Sequence, residues 1–251
     1  MIKFCIGVAA AALLAGPTLA SVSFNYEKAG VLNTTATFEY SGVEKFDSRE
    51  LGTGGFTTTF GTSGNPVVIT GVYSGVTILD ADQYGGAGGT GRYGVTFDSP
   101  YTLSLSTSDD SPLTYFGYWL SALDSGNQLE FLKDGVTVAT ITPSDVITNT
   151  GSCPASAHCG NPSGPFAGFN TAQPYVFINI YFDDGDSYDT VRFFEQPTVG
   201  GYESDNHTVG YFLQKGGVVP EPATWAMMIM GFGLVGFAAR RRNAMAAKTL
   251  A

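Results

Sequence analysis

Short apolar and β-branched runs alternate with turn-forming residues along most of this chain. From Ser21 onward, segments rich in Val, Ile, Thr, Tyr and Phe recur between clusters of Gly, Asn, Asp, Ser and Pro, and no stretch before Pro220 keeps a helical period for three turns. The predicted strands are Val22–Tyr26, Thr35–Tyr40, Phe56–Phe60, Val67–Tyr73, Val76–Leu79, Tyr93–Phe97, Tyr101–Ser106, Leu113–Leu120, Gln128–Lys133, Val136–Ile141, Tyr175–Phe182, Thr190–Glu195 and Thr208–Leu213. The pattern predicts an all-β fold, a β-sandwich of jelly-roll type made of two packed sheets.

One hairpin is predicted in detail. Asp134-Gly135 separates Gln128–Lys133 from Val136–Ile141, and Asp-Gly supplies the two positive-φ residues that a type I′ turn requires. The segment Tyr175–Phe182 alternates with a period of two residues, so its side chains divide between two faces. We expect strands with one buried face, and the sequence leaves their order open.

The N-terminus has the layout of a secretory signal peptide. Lys3 precedes the apolar run from Ile6 to Ala15, and the segment Pro17-Thr18-Leu19-Ala20 ends in a small residue, as signal-peptide cleavage sites do. The apolar run is too short for a stable membrane span. We therefore predict that residues 1–20 are a signal peptide cleaved after Ala20, and that the chain is exported.

The C-terminus is the second apolar segment. No charged side chain occurs from Ala223 to Ala239, and Trp225 stands near one end, where an amphipathic ring favours the headgroup region. Arg240, Arg241 and Arg242 follow at once. The positive-inside rule places this cluster in the cytoplasm, so the sequence predicts a short transmembrane helix over 223–239 and a cytoplasmic tail over 243–251.

The C-terminal segment as a whole also resembles a known sorting signal. Pro220-Glu221-Pro222-Ala223-Thr224-Trp225-Ala226, an apolar helix and a basic cluster occur in this order, which is similar to the PEP-CTERM signal of Gram-negative bacteria in its Trp-Ala subtype. The resemblance implies that a membrane-embedded exosortase recognises Pro220, Glu221 and Pro222, removes the helix and releases or attaches the domain outside the inner membrane. It also implies an association with exopolysaccharide. A plain anchor that is never cleaved is the alternative.

The central segments resemble a family of exosortase-dependent surface proteins. The similarity lies in residues 80–93 and 115–131, and it extends to 183–189 and 203–207. It implies a cell-surface or extracellular location after transient membrane anchoring. It supplies no biochemical activity.

Composition and domain order limit the partners. The chain has 22 acidic and 12 basic residues, a formal net charge of −10, so nucleic acid is excluded as an expected partner. We predict one β-sandwich domain over 21–214, a flexible spacer over 215–219 and the sorting signal over 220–242. The partners expected are the exosortase, the inner membrane before processing, and exopolysaccharide.

Two cysteines remain after the signal peptide. Cys153 and Cys159 are six positions apart in a loop rich in Gly, Pro, Ser and Asn, and an even pair in an oxidising compartment favours a local disulfide. A zinc site that adds His158 and His207 is the alternative, although no Cys-x-x-Cys pair is present.

Acidic loops suggest a cation site. Residues 183–189 concentrate carboxylates in one loop, and Ca²⁺ prefers oxygen ligands. We name Asp183, Asp184, Asp186 and Asp189 as calcium candidates and expect no other cofactor. Asp80 and Asp82 are second-choice calcium candidates. The sets Asp80 with Asp82, Asp109 with Asp110, and Asp183 with Asp184 and Asp186 could instead supply the paired carboxylates of a glycosidase, or simply form turns.

Aromatic residues suggest a glycan surface. Tyr84, Tyr93, Tyr118 and Trp119 lie in or near a glycine-rich loop and an aromatic strand, and exposed rings can stack on sugars. Core packing is the alternative for Tyr118. Gly86 to Gly91 matches Gly-x-Gly-x-x-Gly, but a strand rather than a helix is predicted after it, so no dinucleotide site is expected.

We expect a non-enzymatic protein without catalytic residues. His207, between Asn206 and Thr208, is interpreted as a surface histidine in a turn, and Gly-x-Ser-x-Gly is absent. The expected role is structural, at the cell surface or in the extracellular matrix. A polysaccharide-binding module is the first alternative, and a secreted glycosidase is the more distant one.

Overall fold

The computed structural model describes residues 20–60 and 66–217. The predicted signal peptide up to residue 19, the membrane helix over 223–239 and the cluster Arg240, Arg241 and Arg242 lie outside the described residues. The strands are β1 Val22–Tyr26, β2 Thr37–Glu44, β3 Gly52–Thr58, β4 Ile69–Asp80, β5 Arg92–Thr96, β6 Tyr101–Thr107, β7 Tyr115–Ser121, β8 Asn127–Lys133, β9 Val136–Ile141, β10 Val176–Phe182, β11 Thr190–Glu195 and β12 Tyr202–Gln214. One α-helix in the described part, α1, spans Pro143–Thr150.

The strands form one antiparallel 12-stranded sheet that folds over on itself. Its order is β1-β10-β7-β12-β5-β4-β6-β11-β8-β9, with β2 added beside β12 and β3 beside β4. Strand β5 joins the two halves of the sheet, because it pairs with β12 through Gly94–Thr96 and with β4 through Arg92–Val95. The all-β prediction is confirmed. The jelly-roll prediction of two separate sheets is not, since the ladder is continuous through β5.

The folded sheet is nearly closed. Phe116 on β7 makes edge contacts with Phe131 on β8 and Phe193 on β11, at ring-centroid distances of 5.7 and 6.2 Å, although these strands are not ladder neighbours. At one seam the Ala20 N–H donates to the Val138 carbonyl at 3.1 Å. At the other the Val43 N–H donates to the Phe60 carbonyl at 2.7 Å. The interior is therefore a layered core inside a flattened, barrel-like sheet.

Strands β7 and β10 are buried on both faces. Their inner side chains, including Phe116, Tyr118 and Ile178, belong to the main core. Their outer side chains Trp119 and Phe177 form a second cluster with the flanking residues Ala122 and Tyr175, and Leu32 and Ala87 pack against this cluster. The expectation of one buried face per strand is wrong for β7 and β10, because loops cover the second face.

Several strand boundaries differ from the predicted ones for local reasons. The two predicted strands Val67–Tyr73 and Val76–Leu79 are the single strand β4, since Gly75 adopts a φ of 79° at a bulge instead of ending the strand. Helix α1 begins with a capping box between Thr142 and Asp145. The type I′ hairpin is confirmed, with φ values of 51° at Asp134 and 78° at Gly135.

The cysteine prediction is also confirmed. Cys153 and Cys159 form a disulfide in the segment between α1 and β10, with their Cα atoms 5.6 Å apart. The zinc alternative is wrong, because both thiols are oxidised and His207 lies in the main core on β12.

Candidate functional site

The polar groups of greatest interest lie on the outer face of β7 and β12. The antiparallel register places Glu203 opposite Ser121 and Asp205 opposite Trp119, so all four side chains share one face. Each is nearly inaccessible, with exposed fractions of 5% for Glu203, 3% for Asp205, 0% for Ser121 and 1% for Trp119. We call this set the buried polar face.

The glycine-rich loop covers the buried polar face. The Ala87 N–H donates to Asp205 Oδ2 at 2.8 Å, from a short 3₁₀ turn over Ala87–Gly89. The loop is held on its other side at Gln83, whose carbonyl accepts from Tyr175 Oη and Asn161 Nδ2, each at 2.7 Å. Strand β5 follows this loop, as predicted from the sequence.

Burial controls the charge of both carboxyl groups. The pKa of Glu203 is raised to about 8, mainly by desolvation and in smaller part by the nearby acids Asp124, Asp82 and Glu195. Desolvation likewise raises the pKa of Asp205 to about 8, although the backbone N–H groups of Ala87 and Asn206 lower it in part. Both side chains are therefore mainly protonated at neutral pH.

Three atoms of this face have no hydrogen-bond partner within the described protein. They are Trp119 Nε1, Ser121 Oγ and Glu203 Oε2. A buried N–H donor, a hydroxyl and a carboxyl on neighbouring residues suit a small neutral polar molecule such as water, which typically makes about three hydrogen bonds in such sites. The arrangement holds polar groups away from solvent.

We expect Glu203→Gln to change how stability depends on pH. The pKa of Glu203 is about 8 when folded and 4.5 in the reference state, so its contribution is present below pH 4.5 and is lost as the pH rises through 8. Between pH 5 and 7 the free energy of unfolding of the wild type should fall by about 2 to 3 kcal/mol relative to the variant.

Denaturant titrations at each pH measure this difference. Glu39→Gln, which neutralises an exposed carboxylate, serves as the control. Its free energy of unfolding should change with pH by the same amount as that of the wild type. Equal pH slopes for the wild type and Glu203→Gln would contradict a protonated, buried Glu203.

The proposed glycan residues do not form an exposed surface together. The side chains of Tyr93, Tyr118 and Trp119 are at most 2% exposed, whereas Tyr84 is 45% exposed. The prediction of sugar stacking is wrong for these three, because β7 is covered on both faces and Tyr93 packs beneath the glycine-rich loop at Gly85. Tyr84 keeps an accessible ring.

The proposed calcium residues point to different partners. Asp183 pairs with Lys215 at 2.7 Å, Asp186 Oδ2 accepts from the Ser21 N–H at 2.5 Å, and Asp189 lies 3.6 Å from Lys133. Asp184 occupies a turn with a φ of 55°. Across residues 20–60 and 66–217, no three His, Cys, Asp or Glu side chains are grouped so that they could hold a metal ion. Calcium binding stays a prediction.

The histidines have packing roles. The prediction of a surface histidine is wrong for His207, which is fully buried and stacks its ring on Phe193 at a centroid distance of 5.1 Å, because β12 carries it into the core. Its Nδ1 lies 2.9 Å from Tyr73 Oη. His158 is 7% exposed, and its Nε2 lies 3.0 Å from the Glu27 carbonyl.

Comparison with known protein families identifies the C-terminal segment. A family model described as the PEP-CTERM protein-sorting motif matches residues 218–242. The chain carries a PEP-CTERM motif. This motif indicates exosortase-dependent sorting of an exported protein, with transient membrane anchoring before cleavage. No curated protein and no solved structure matches the chain significantly.

The PEP-CTERM residues themselves lie outside the described residues. These are Pro220, Glu221, Pro222, Trp225, Arg240, Arg241 and Arg242. Within the part of the chain that the structure describes, no helix is long and apolar enough to cross a membrane.

The domain holds the chain up to the residue before the PEP-CTERM match. Lys215 Nζ donates to Asp183 Oδ2, the Gly216 N–H donates to Tyr181 Oη at 2.9 Å, and the Gly217 N–H donates to Thr35 Oγ1 at 2.8 Å. A flexible spacer was predicted over 215–219. This prediction is wrong for residues 215–217, which are held to the domain by hydrogen bonds and an ion pair.

A buried acidic side chain, Glu27, organises the attachment of residues 215–217 to the domain. Glu27 is 2% exposed, and its Oε1 accepts from the Thr35 N–H at 2.8 Å and from Asn179 Nδ2 at 3.1 Å. Thr35 Oγ1, 3.0 Å from the same oxygen, in turn accepts from Gly217. The Glu27 network therefore fixes the last described residue of the domain.

Proposed function

We propose that this protein is a structural component of the cell surface or extracellular matrix, processed by an exosortase and associated with exopolysaccharide. The observation that carries the proposal is the PEP-CTERM motif at residues 218–242, which follows directly on the anchored end of an all-β domain. The signal peptide predicted over residues 1–20 supplies the first step of export. The exosortase acts at the Pro-Glu-Pro element and releases or attaches the β-domain outside the inner membrane.

A non-enzymatic role is supported by how the domain uses its reactive side chains. The chain has two histidines, and both are buried in packing positions. Glu203 and Asp205 are covered by the glycine-rich loop. A sheet buried on both faces at β7 and β10, with a disulfide in its longest connection, suits persistence outside the cell.

Polysaccharide binding is the second candidate function. Tyr84 is 45% exposed and Phe169 is 52% exposed, and their loops are joined because the Gln83 carbonyl accepts from Asn161 Nδ2 and Asn170 Nδ2. Two accessible rings on joined loops could stack on sugar faces. We call Tyr84 and Phe169 the exposed ring pair.

Co-sedimentation with exopolysaccharide from the producing cells tests both roles. We expect the processed wild-type protein to sediment with the polymer without shortening it. If the exposed ring pair binds the polymer, the double variant Tyr84→Ala, Phe169→Ala should lose most of this binding. Phe97→Ala, which removes a ring that is 43% exposed elsewhere, is the control and should retain it.

Three results separate the candidates. Binding that survives loss of the exposed ring pair supports a structural association made through other surfaces. Release of shorter polymer chains would support the glycosidase and contradict the non-enzymatic proposal. Absence of the wild-type protein from the polymer fraction would contradict the association with exopolysaccharide.

A further inference from the structure

The start of β1 is fixed by two hydrogen bonds donated from the backbone. The Ala20 N–H donates to the Val138 carbonyl of β9 at 3.1 Å, and the Ser21 N–H donates to Asp186 Oδ2 at 2.5 Å. The Ser21 carbonyl accepts in turn from the Asp183 N–H at 2.8 Å. Ser21 is thus held against the acidic loop by both of its backbone polar groups.

Signal-peptide cleavage after Ala20 would change the chemistry at this point. Water adds across the Ala20–Ser21 peptide bond, so that the hydroxyl goes to the Ala20 carbonyl carbon and the proton goes to the Ser21 nitrogen. The products are an Ala20 carboxylate, which leaves with the signal peptide, and a Ser21 α-amino group. This group is protonated below its ordinary pKa of about 8.

We propose that Asp186 is a docking site for the new N-terminus, and that cleavage converts the hydrogen bond between the Ser21 amide and the Asp186 carboxylate into an ion pair. The proposal rests on export and on the predicted cleavage after Ala20. It adds a specific role for a residue of the acidic loop. The covalent step requires only water.

The surrounding charges favour this pairing. Asp183 is engaged by Lys215 at 2.7 Å, and Asp189 lies near Lys133 at 3.6 Å, so the basic side chains described beside this loop bind other carboxylates. Asp184 lies in the same turn, and Asp145 of α1 lines the groove of about 450 Å³ that Ala20 also lines. An ammonium group at Ser21 therefore enters a predominantly acidic environment.

The ion pair also compensates for a hydrogen bond that cleavage removes. Cleavage removes Ala20 and with it the hydrogen bond to Val138, which joins the two ends of the sheet order across the seam between β1 and β9. Cleavage replaces the neutral amide donor by a positively charged ammonium donor, which adds charge–charge attraction to the existing hydrogen bond with the Asp186 carboxylate. Cleavage therefore strengthens the contact between Ser21 and Asp186 while it removes the neighbouring hydrogen bond of Ala20.

Periodate provides a selective test on the processed protein purified from producing cells. It oxidises an N-terminal serine by breaking the Cα–Cβ bond, is itself reduced to iodate, releases formaldehyde and ammonia, and leaves a glyoxylyl group without positive charge. At pH 6.5 we expect the melting temperature of the wild type to fall by about 2 °C after treatment.

Variants distinguish the ion pair from other effects of oxidation. Asp186→Asn should melt about 2 °C below the wild type before treatment and should show no further decrease after it. Asp184→Asn, in the same loop, should respond to periodate as the wild type does. The difference between the wild type and Asp186→Asn should shrink as the pH rises above about 8, the ordinary pKa of an α-amino group, because the deprotonated amine no longer forms an ion pair with the Asp186 carboxylate.

Two results would overturn the proposal. The first is an equal periodate effect in the wild type and in Asp186→Asn. The second is the absence of an aldehyde product, which would show that the mature chain does not begin at Ser21. Neither result bears on the final location of the protein or on its C-terminal processing, which are measured separately.

Discussion

Replacing Glu221 by alanine should leave the exported protein unprocessed in the membrane fraction. Glu221 is the central residue of the Pro220-Glu221-Pro222 element within the matched sorting motif. Without its carboxylate we expect recognition by the exosortase to fail, so that the full-length form accumulates and the processed form falls to background. Immunoblots of membrane, envelope and medium fractions measure the two forms.

The matched control is Glu50→Ala. Glu50 is an exposed carboxylate in the connection between β2 and β3, far in sequence from the motif, and its removal should leave processing unchanged. Normal amounts of processed Glu221→Ala protein would show that recognition does not depend on this element. Loss of processing in both variants would point to a folding defect instead.

His207 should make the domain sensitive to acid. The ring is fully buried among Phe46, Tyr73, Phe116 and Phe193, and desolvation lowers its pKa to about 3. A lowered folded-state pKa means that the unfolded chain binds the proton first, so stability is lost as the pH falls below 6.5. By pH 4 this single group should cost about 3 kcal/mol of unfolding free energy.

The comparison of variants isolates this effect from the opposite contribution of Glu203 and Asp205. His207→Gln should be less stable than the wild type at pH 7, because ring contacts are lost, yet it should lose about 3 kcal/mol less between pH 6.5 and 4. Tyr73→Phe removes only the hydroxyl partner of His207 and should keep the wild-type pH slope. Equal slopes for the wild type and His207→Gln in denaturant titrations would contradict the assignment.

The sequence identified most strands because turn residues and alternation are local properties. Asp134 and Gly135 determine a type I′ turn whatever surrounds them, and the hairpin of β8 and β9 was predicted with nearly its observed boundaries. The continuous sheet was not predictable in the same way. Pairing of β5 with both β4 and β12 depends on contacts between distant residues, which periodicity does not record.

The buried polar face was missed for a related reason. Glu203, Asp205 and His207 lie in a polar stretch that by composition is typical of a surface turn, and burial of charged residues is uncommon. Glu203 and Asp205 are buried by the pairing of β12 with β7 and by the loop at Ala87, whereas His207 points into the main core after a register shift in β12. Trp119 was misjudged similarly, since alternation along β7 indicates two faces but does not show that loops cover both.

The sorting motif could be recognised because its information is contiguous. Pro220-Glu221-Pro222, an uncharged segment and three arginines occur in one short stretch, and no tertiary contact is needed to read them. The attachment of residues 215–217 was not visible, because Thr35, Tyr181 and Asp183 approach them only in the folded domain.

Mass spectrometry of the protein recovered from envelope and medium fractions tests the central claim most directly. The account predicts a chain that begins at Ser21, contains the Cys153–Cys159 disulfide and lacks the segment from Ala223 onward. An intact chain of 251 residues, found in the cytosol and absent from the exported fractions, would contradict it.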